Sequence, residues 1–303
     1  MTRPASSGAA WSGYVEVVCA AALWGSSGIF SVHLFRMGVP PATVALVRPL
    51  LGLAFMLVYL GLFRRASLRV SRKGLLVLIL GGGAAVGIFQ VAYQASIDAV
   101  GVPSTVALLY LAPAFVVAAS GPLLGEWPDR TRVALAMLAV AGVWLSVLGA
   151  EHVEATFGSA GVGWGLSAGL SYAAYTLLGR FASPRWGSVP TVVYSTAGAC
   201  AILLLTAPLA SRSWTLPSGA EVWMVLAVFA LLTVAVAQFL FFDALRRIEA
   251  SRASVAATAE PVVATLLATT ILSQGLRPIG WLGLGLVVAG GAGVGLTGPR
   301  KAA

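Results

Sequence analysis

Residues 278–297 read PIGWLGLGLVVAGGAGVGLT, twenty positions without a single charged side chain. A bilayer core about 30 Å thick is crossed by about 20 apolar residues of α-helix, so this segment is long enough to span. Nine more stretches of the same kind precede it, at 12–33, 41–62, 74–97, 103–123, 132–149, 159–181, 189–209, 220–245 and 253–272. They are parted only by short polar or Pro/Gly-containing connections. Of the 303 residues 59% are hydrophobic and 10% charged, and mean hydropathy is +0.93, a composition foreign to soluble globular domains. Hydrocarbon offers backbone N–H and C=O groups no water, which leaves helices or a closed barrel. Runs of this length without strict alternation select helices. The fold class expected is an all-α polytopic membrane protein with ten transmembrane helices.

No connection is long enough to fold as a separate domain. The first stretch is followed by nine others, so it reads as a retained span and not as a cleaved signal peptide. Cys19 and Cys200 fall inside expected spans, where neither a disulfide framework nor a thiol metal site is expected.

The net charge of +9 is explained by its distribution. With a cytoplasmic N-terminus, the inner segments carry Arg3, Arg64, Arg65, Arg69, Arg72, Lys73, Arg130, Arg132, Arg180, Arg185, Arg246, Arg247, Arg252, Arg300 and Lys301. The outer segments carry only Arg36, Arg212 and Arg277, and Arg48 stays within the second span. Fifteen against three is a strong positive-inside bias. Both termini are therefore expected in the cytoplasm of a bacterial inner membrane. The charge reports topology and calls for no nucleic-acid partner.

The chain also matches itself at an offset of 148 residues. Thr43-Val44 meets Thr191-Val192, Val77-Leu78 meets Val225-Leu226, and Leu138–Gly142 meets Leu286–Gly290. Gln90 meets Gln238, Pro113 meets Pro261, and Trp24 falls opposite Tyr172. Apolar matches arise by chance in such a composition; paired glutamines and paired mid-helix prolines carry more weight. Five spans per copy put the second copy into the membrane upside down, giving halves at 1–150 and 151–303. Inverted repeats of this kind support alternating access around a midplane site.

Several short motifs make a resemblance specific: Leu23-Trp24-Gly25-Ser26, Arg48 in the second span, Leu111-Ala112-Pro113 leading to Gly125-Glu126, and Ala259-Glu260-Pro261-Val262-Val263. In these, over roughly 12 to 297, the chain resembles the drug/metabolite transporter superfamily, in particular its EamA-type exporters. Within that group it is most similar to bacterial exporters of aromatic and other amino acids. The resemblance implies export of small metabolites, with amino acids as the substrate class. It departs at Ser273-Gln274, where the second repeat of the family usually ends in Gly-Glu.

Polar groups inside a span are costly and tend to face the bundle or a wet cavity. Glu260 precedes Pro261, whose missing N–H frees a carbonyl one turn earlier. A carboxylate there suits a substrate ammonium or a proton, and a structural ion pair or a protonated hydrogen-bond donor accounts for it equally. Arg48 suits either a substrate carboxylate or the pinning of helices, the structural role being favoured. Gly83, Gly87, Gln90 and Gln94 form one helical stripe whose amides offer donors and acceptors, with Gln238 as the counterpart of Gln90; interhelical packing is the competing account. Trp24, Gly28, Ser31 and Phe35 share one face of the first span, and Trp164, Ala168, Ser171 and Tyr175 one face of the sixth. With Tyr93, Tyr110, Tyr172 and Phe242 these rings would wall a pocket for small, partly apolar organic molecules. Pro113 and Pro261 are expected to weaken helices where gates bend. Trp11, Trp127, Trp186, Trp214, Trp223 and Trp281 read as an interfacial belt. Asp98, Asp129, Glu151, Glu154, Asp243 and Glu249 read as solvated or capping groups, and Glu126 as a helix end or a partner of Arg130.

Other classes fit poorly. Gly25-Ser26-Ser27-Gly28 offers Ser27 as a nucleophile, but the one intramembrane histidine, His33, lies six residues on, about 9 Å along the axis; His152 falls in an outer connection. No H-E-x-x-H, G-x-S-x-G, P-loop or metal-ligand spacing occurs. A channel would repeat rings of charge or carbonyls, and only Glu260 and Arg48 stand near the middle. The expectation is therefore a gradient-driven carrier without catalytic residues, cofactor or metal, whose partners are a small-molecule substrate and membrane lipid. A multidrug or organic-cation exporter is the alternative. Oligomeric state stays open, a monomer included.

Overall fold

The computed structural model describes residues 7–63, 68–149, 158–206, 215–271 and 275–296. Arg3, Arg64, Arg65, Glu151, His152, Glu154, Arg212, Trp214, Ser273, Gln274, Arg300 and Lys301 lie outside them. The described residues are helical throughout apart from turns and connections. In chain order the helices are α1 (Ser7–Gly25), α2 (Ser27–Arg36), α3 (Pro41–Phe63), α4 (Arg72–Leu76), α5 (Gly83–Leu109), α6 (Ala112–Leu124), α7 (Arg130–Leu148), α8 (Ser159–Trp186) and α9 (Ser188–Thr206). There follow α10 (Ala220–Ala230), α11 (Ala237–Ala244), α12 (Ala250–Ala256), α13 (Ala259–Ile271) and α14 (Pro278–Leu296). Two π-helical segments, Val77–Gly82 and Leu231–Val236, join α4 to α5 and α10 to α11.

Seven segments are long and apolar enough to cross a membrane: Trp11–Arg36, Pro41–Phe63, Arg72–Val102, Ser104–Leu124, Arg130–Leu148, Ser188–Leu205 and Ala220–Ala244. They coincide with seven of the ten expected spans, and the other three fall short for visible reasons. Helix α8 is long but rich in Gly, Ser, Thr and Tyr. The ninth stretch is divided between α12 and α13. The tenth counts as a shorter apolar helix, Pro278–Val294.

Local chemistry sets the helix ends. Ser71 and Asp129 act as N-caps, their side chains accepting from Gly74 N and Arg132 N. Gly125, at φ 72°, closes α6 in the left-handed conformation that a residue without Cβ adopts freely. Gly101, at φ 76° and ψ 170°, breaks α5 and turns the chain from the third stretch into the fourth.

Small residues allow the close approaches, and these recur in pairs. A Cβ on Gly142 of α7 would lie 2.6 Å from the Gly283 carbonyl of α14, and one on Gly290 would lie 2.8 Å from the Leu135 carbonyl of α7. Each position is 148 residues from its counterpart. In the same way Gly13 abuts Ile248, and Gly161 abuts Val100.

Two helices are broken alike. Tyr110-Leu111 separates α5 from α6, and Ala257-Thr258 separates α12 from α13. Pro113 and Pro261 each sit in the first turn after the break, where a proline is tolerated. Pro261 cannot donate to Ala257, and that carbonyl accepts from Glu260 N at 3.0 Å and from the Tyr110 hydroxyl at 3.2 Å. The two breaks are thus bonded to each other.

Charge gathers at one end of the bundle. Arg132 binds Glu249 at 2.5 Å, Arg180 binds Glu126 at 2.5 Å, and Arg247 binds Glu16 at 2.5 Å and also Asp243. Arg252 bonds both Glu249 and the Tyr14 hydroxyl. Hydrogen bonding to Glu16, reinforced by Asp243, lifts the Arg247 guanidinium above its ordinary pKa. The expected Glu126–Arg130 pair gives way to Glu126–Arg180, with a second bond from Ala250 N to Glu126 at 3.0 Å. The cause is that α6 ends at Leu124 and α7 begins at Arg130, so the two residues never share a helix. Asp243 and Glu249 are ion-paired where solvated or capping roles were expected. The opposite end is closed by an apolar cluster of Leu34, Val39, Val44, Val47, Val222, Leu226 and Phe229.

Candidate functional site: a central aromatic chamber

A small cavity of about 40 Å³ lies amid the helices, lined by Trp24, Ser27, Arg48, Val86, Phe89, Tyr93, Leu109, Tyr172, Tyr175, Gln238 and Glu260. Its position follows from the irregular backbone described above. Ser27 opens α2 just after the interruption at Ser26, whose hydroxyl bonds the Leu23 carbonyl at 2.6 Å. Leu109 ends α5 at the Tyr110 break, and Glu260 stands in the first turn of α13 after the Ala257 break. Trp24 is fixed by its indole N–H, which donates to the Thr233 carbonyl inside the second π-helical segment at 2.8 Å.

The walls are aromatic. Trp24 meets Tyr172 edge-on at 5.9 Å between ring centroids, Tyr172 stacks with Tyr175 at 6.3 Å, and Phe89 stacks with Tyr93 at 5.5 Å. Between them lie one cation and one anion. The Arg48 guanidinium sits 4.3 Å from the centroid of Phe229, within cation–π range. Among the described residues its Nε and Nη1 have no hydrogen-bond partner, and neither do the hydroxyls of Tyr172 and Tyr175. Glu260 lies in the same chamber as Arg48, although no ion pair within 4 Å joins the two among the described residues. Buried donors without partners are costly to leave unmet. The chamber therefore offers unmet N–H and O–H donors, a carboxylate and ring faces to whatever enters it.

Of the residues expected from the sequence, Trp24, Arg48, Tyr93, Tyr175, Gln238 and Glu260 line this space, as does Tyr172. The others lie behind it. Tyr110 bridges the helix breaks, and Phe242 presents an edge to Tyr175 at 4.5 Å. Trp164 packs partly buried against the main core. Gln90 is 1% exposed, and Gly83 of the same stripe meets Gly198 of α9. Gln238, its counterpart, reaches the chamber and accepts from Thr196 at 3.2 Å.

The sequence analysis weighed Ser27 only as a nucleophile and passed over Val86, Phe89 and Leu109. Two signals were present. Val86, Phe89 and Tyr93 recur at helical spacing on one face, and Leu109 lies four residues before Pro113, where a carbonyl loses its partner. Among the described residues no three of His, Cys, Asp and Glu stand together as a metal site.

The model of the EamA-like transporter family matches residues 11–148 and again 159–296. An uncharacterized transporter of Bacillus subtilis, YwfM, is 28% identical over 283 residues, covering 90% of each chain. An uncharacterized inner membrane transporter of Salmonella typhimurium, YicL, is 23% identical over 289 residues, covering 93% of this chain and 94% of its own. A crystal structure at 20% identity superposes with a TM-score of 0.74 over 97% of this chain and 98% of that one, a likeness of fold.

Proposed function

Because this chain belongs to the EamA-like transporter family, we propose that it is a secondary carrier exporting small metabolites, amino acids foremost, from the bacterial cytoplasm by alternating access. In this reading ten spans form two inverted five-helix halves, 1–150 and 151–303, with both termini in the cytoplasm. Support comes from the family model matching twice, from the glycine contacts paired at an offset of 148, and from the two alike and mutually bonded helix breaks. The positive-inside bias sets the orientation.

The observation that carries the substrate class is the pairing of Arg48, with two unmet donors, and Glu260 within one aromatic chamber. An α-amino acid brings a carboxylate for the first, an ammonium for the second and an apolar side chain for the rings. Trp24, Tyr93, Tyr172, Tyr175 and Gln238 complete the contact surface, while Tyr110 and Phe242 hold it in place.

An organic-cation exporter would use Glu260 and the rings and leave Arg48 idle. Counterflow in proteoliposomes separates the two. Aromatic and neutral amino acids should compete for labelled substrate and their decarboxylated amines should not, with and without an imposed pH gradient. Competition by the amines alone would overturn the amino-acid reading, and flux linear in concentration would overturn the carrier.

A further inference from the structure

The three ion pairs that join separate helices at the arginine-rich end have a property in common. Glu16–Arg247, Glu126–Arg180 and Arg132–Glu249 each take one partner from residues 1–150 and the other from residues 151–303. So do the Tyr14–Arg252 and Glu126–Ala250 hydrogen bonds. The remaining pairs, Arg132–Asp129, Arg246–Asp243, Arg247–Asp243 and Arg252–Glu249, are three or four residues apart and hold the side chains in position.

Shifting these positions by 148 leads to the opposite end of the bundle. Arg132, Glu249 and Arg252 correspond to Gly280, Gly101 and Ser104; Arg247 and Glu16 to Ala99 and Trp164; Arg180 and Glu126 to Val32 and Gln274. None of these can form an ion pair. Among the described residues no ion pair closes that end, and the apolar cluster around Phe229 does.

We propose that the ion pairs between the halves form an electrostatic latch that makes closure toward the cytoplasm the resting state of the carrier and that yields to ionic strength. The proposal rests on the alternating-access reading above. The physical asymmetry is that salt weakens one seal and not the other. Glu16–Arg247 and Glu126–Arg180 are partly exposed, with side chains 15–29% accessible, so salt screens them; the Debye length falls from about 8 Å at physiological ionic strength to about 3 Å at 1 M. Apolar contacts are not weakened by such screening. The two seals also open differently. Parted ions recover hydration from incoming water, whereas a parted apolar seal exposes hydrocarbon. Partner geometry adds cooperation, because Glu249 holds both Arg132 and Arg252, and Arg252 reaches on to Tyr14 of α1.

The test reads access to the chamber without needing a substrate. Ser27→Cys is placed in a Cys19→Ser/Cys200→Ser background and treated with a membrane-impermeant methanethiosulfonate in inside-out and right-side-out vesicles. Trp11→Cys, whose parent side chain is 71% exposed at the arginine-rich end, identifies the sidedness and corrects for salt effects on the reagent. From the cytoplasmic face, modification should be slow at 0.15 M NaCl and rise about fivefold at 1 M, the population shift given by about one ion pair's worth of free energy. Glu16→Gln combined with Glu126→Gln should give the same rise at 0.15 M and abolish the salt response. Access from the other face should fall or stay constant.

If Ser27→Cys reacts from both faces but neither salt nor the double substitution changes the ratio, the latch is overturned and the carrier stands. If it reacts from neither face under any condition, the carrier reading falls and the latch with it. The salt arm keeps the native ion pairs, so it decides the matter even where the double variant does not fold.

Discussion

The α5–α6 break and the α12–α13 break are built alike and furnished differently. Each interrupts a span with two non-helical residues, each is followed by a proline, and Tyr110 of one bonds Ala257 of the other. Yet Glu260 stands beside the second break, where the 148-residue offset gives Ala112 beside the first. Arg48 has Thr196 as its counterpart in the same sense. In the carrier proposed above, the shared features would make a bendable frame, and the residues that differ would supply the charge a substrate can bind.

The largest effect should follow from erasing that difference. Glu260→Gln removes the one carboxylate lining the chamber and should lower counterflow about 100-fold, the scale of losing one partner of a buried charge contact. Ala112→Ser, at the matching place beside the first break, should change it by less than about twofold. Equal effects at both positions would mean that the charge is structural. Arg48→Met comes next. It should keep the packing against Phe229 but weaken competition by carboxylate-bearing substrates about 30-fold, with amines unaffected, as expected for one lost hydrogen bond between charged groups. Loss of amine and amino-acid transport together would mark Arg48 as a helix pin.

Tyr110→Phe probes the bond between the breaks. It removes the bond that ties the two breaks together, although the Ala257 carbonyl keeps its bond from Glu260 N, so the maximal rate should drop about fivefold, in line with roughly 1 kcal/mol for one hydrogen bond. The substrate concentration at half-maximal rate should change little, since Tyr110 does not line the chamber. A change in that concentration with an unaltered rate would place Tyr110 at the substrate instead.

How far the sequence reaches is clear from particular residues. Apolar runs reveal the helical class because a bilayer imposes a length on them. The signal is weakest for α8, rich in Gly and Ser, and for α12–α13, where the break shortens the run. Glu260, Arg48 and Trp24 stand out because a polar or indole group in an apolar run needs an explanation. Val86 and Leu109 do not, since a valine or leucine looks the same facing lipid, core or cavity. Glu126 shows a third limit: Arg180 is distant in sequence, and only the packing of α6 against α8 brings it close, which no local spacing rule reports.

Gln90 and Gln238 offer the finest test, because they match in the repeat and differ in surroundings. A helix stripe fixes which residues share a face but not whether that face meets a neighbour or a cavity. Gln90 shares its face with Gly83 and Gly87, which lie against Gly198 and Ala199 of α9, and its Oε1 is unpartnered. Gln238 follows the second π-helical segment, lines the chamber and is held by Thr196. Replacing an amide with an unmet buried oxygen by a hydrocarbon of similar size is close to neutral or stabilising. Gln90→Leu should therefore leave KM within about twofold and leave the melting temperature unchanged or higher. Gln238→Leu removes an amide that faces the substrate and strands the Thr196 hydroxyl, so KM should rise about fivefold, the scale of one hydrogen bond near 1 kcal/mol. A rise in KM for Gln90→Leu equal to that for Gln238→Leu would show that both stripes face the substrate during the transport cycle, and that the repeat is symmetric in its chemistry as well as in its frame.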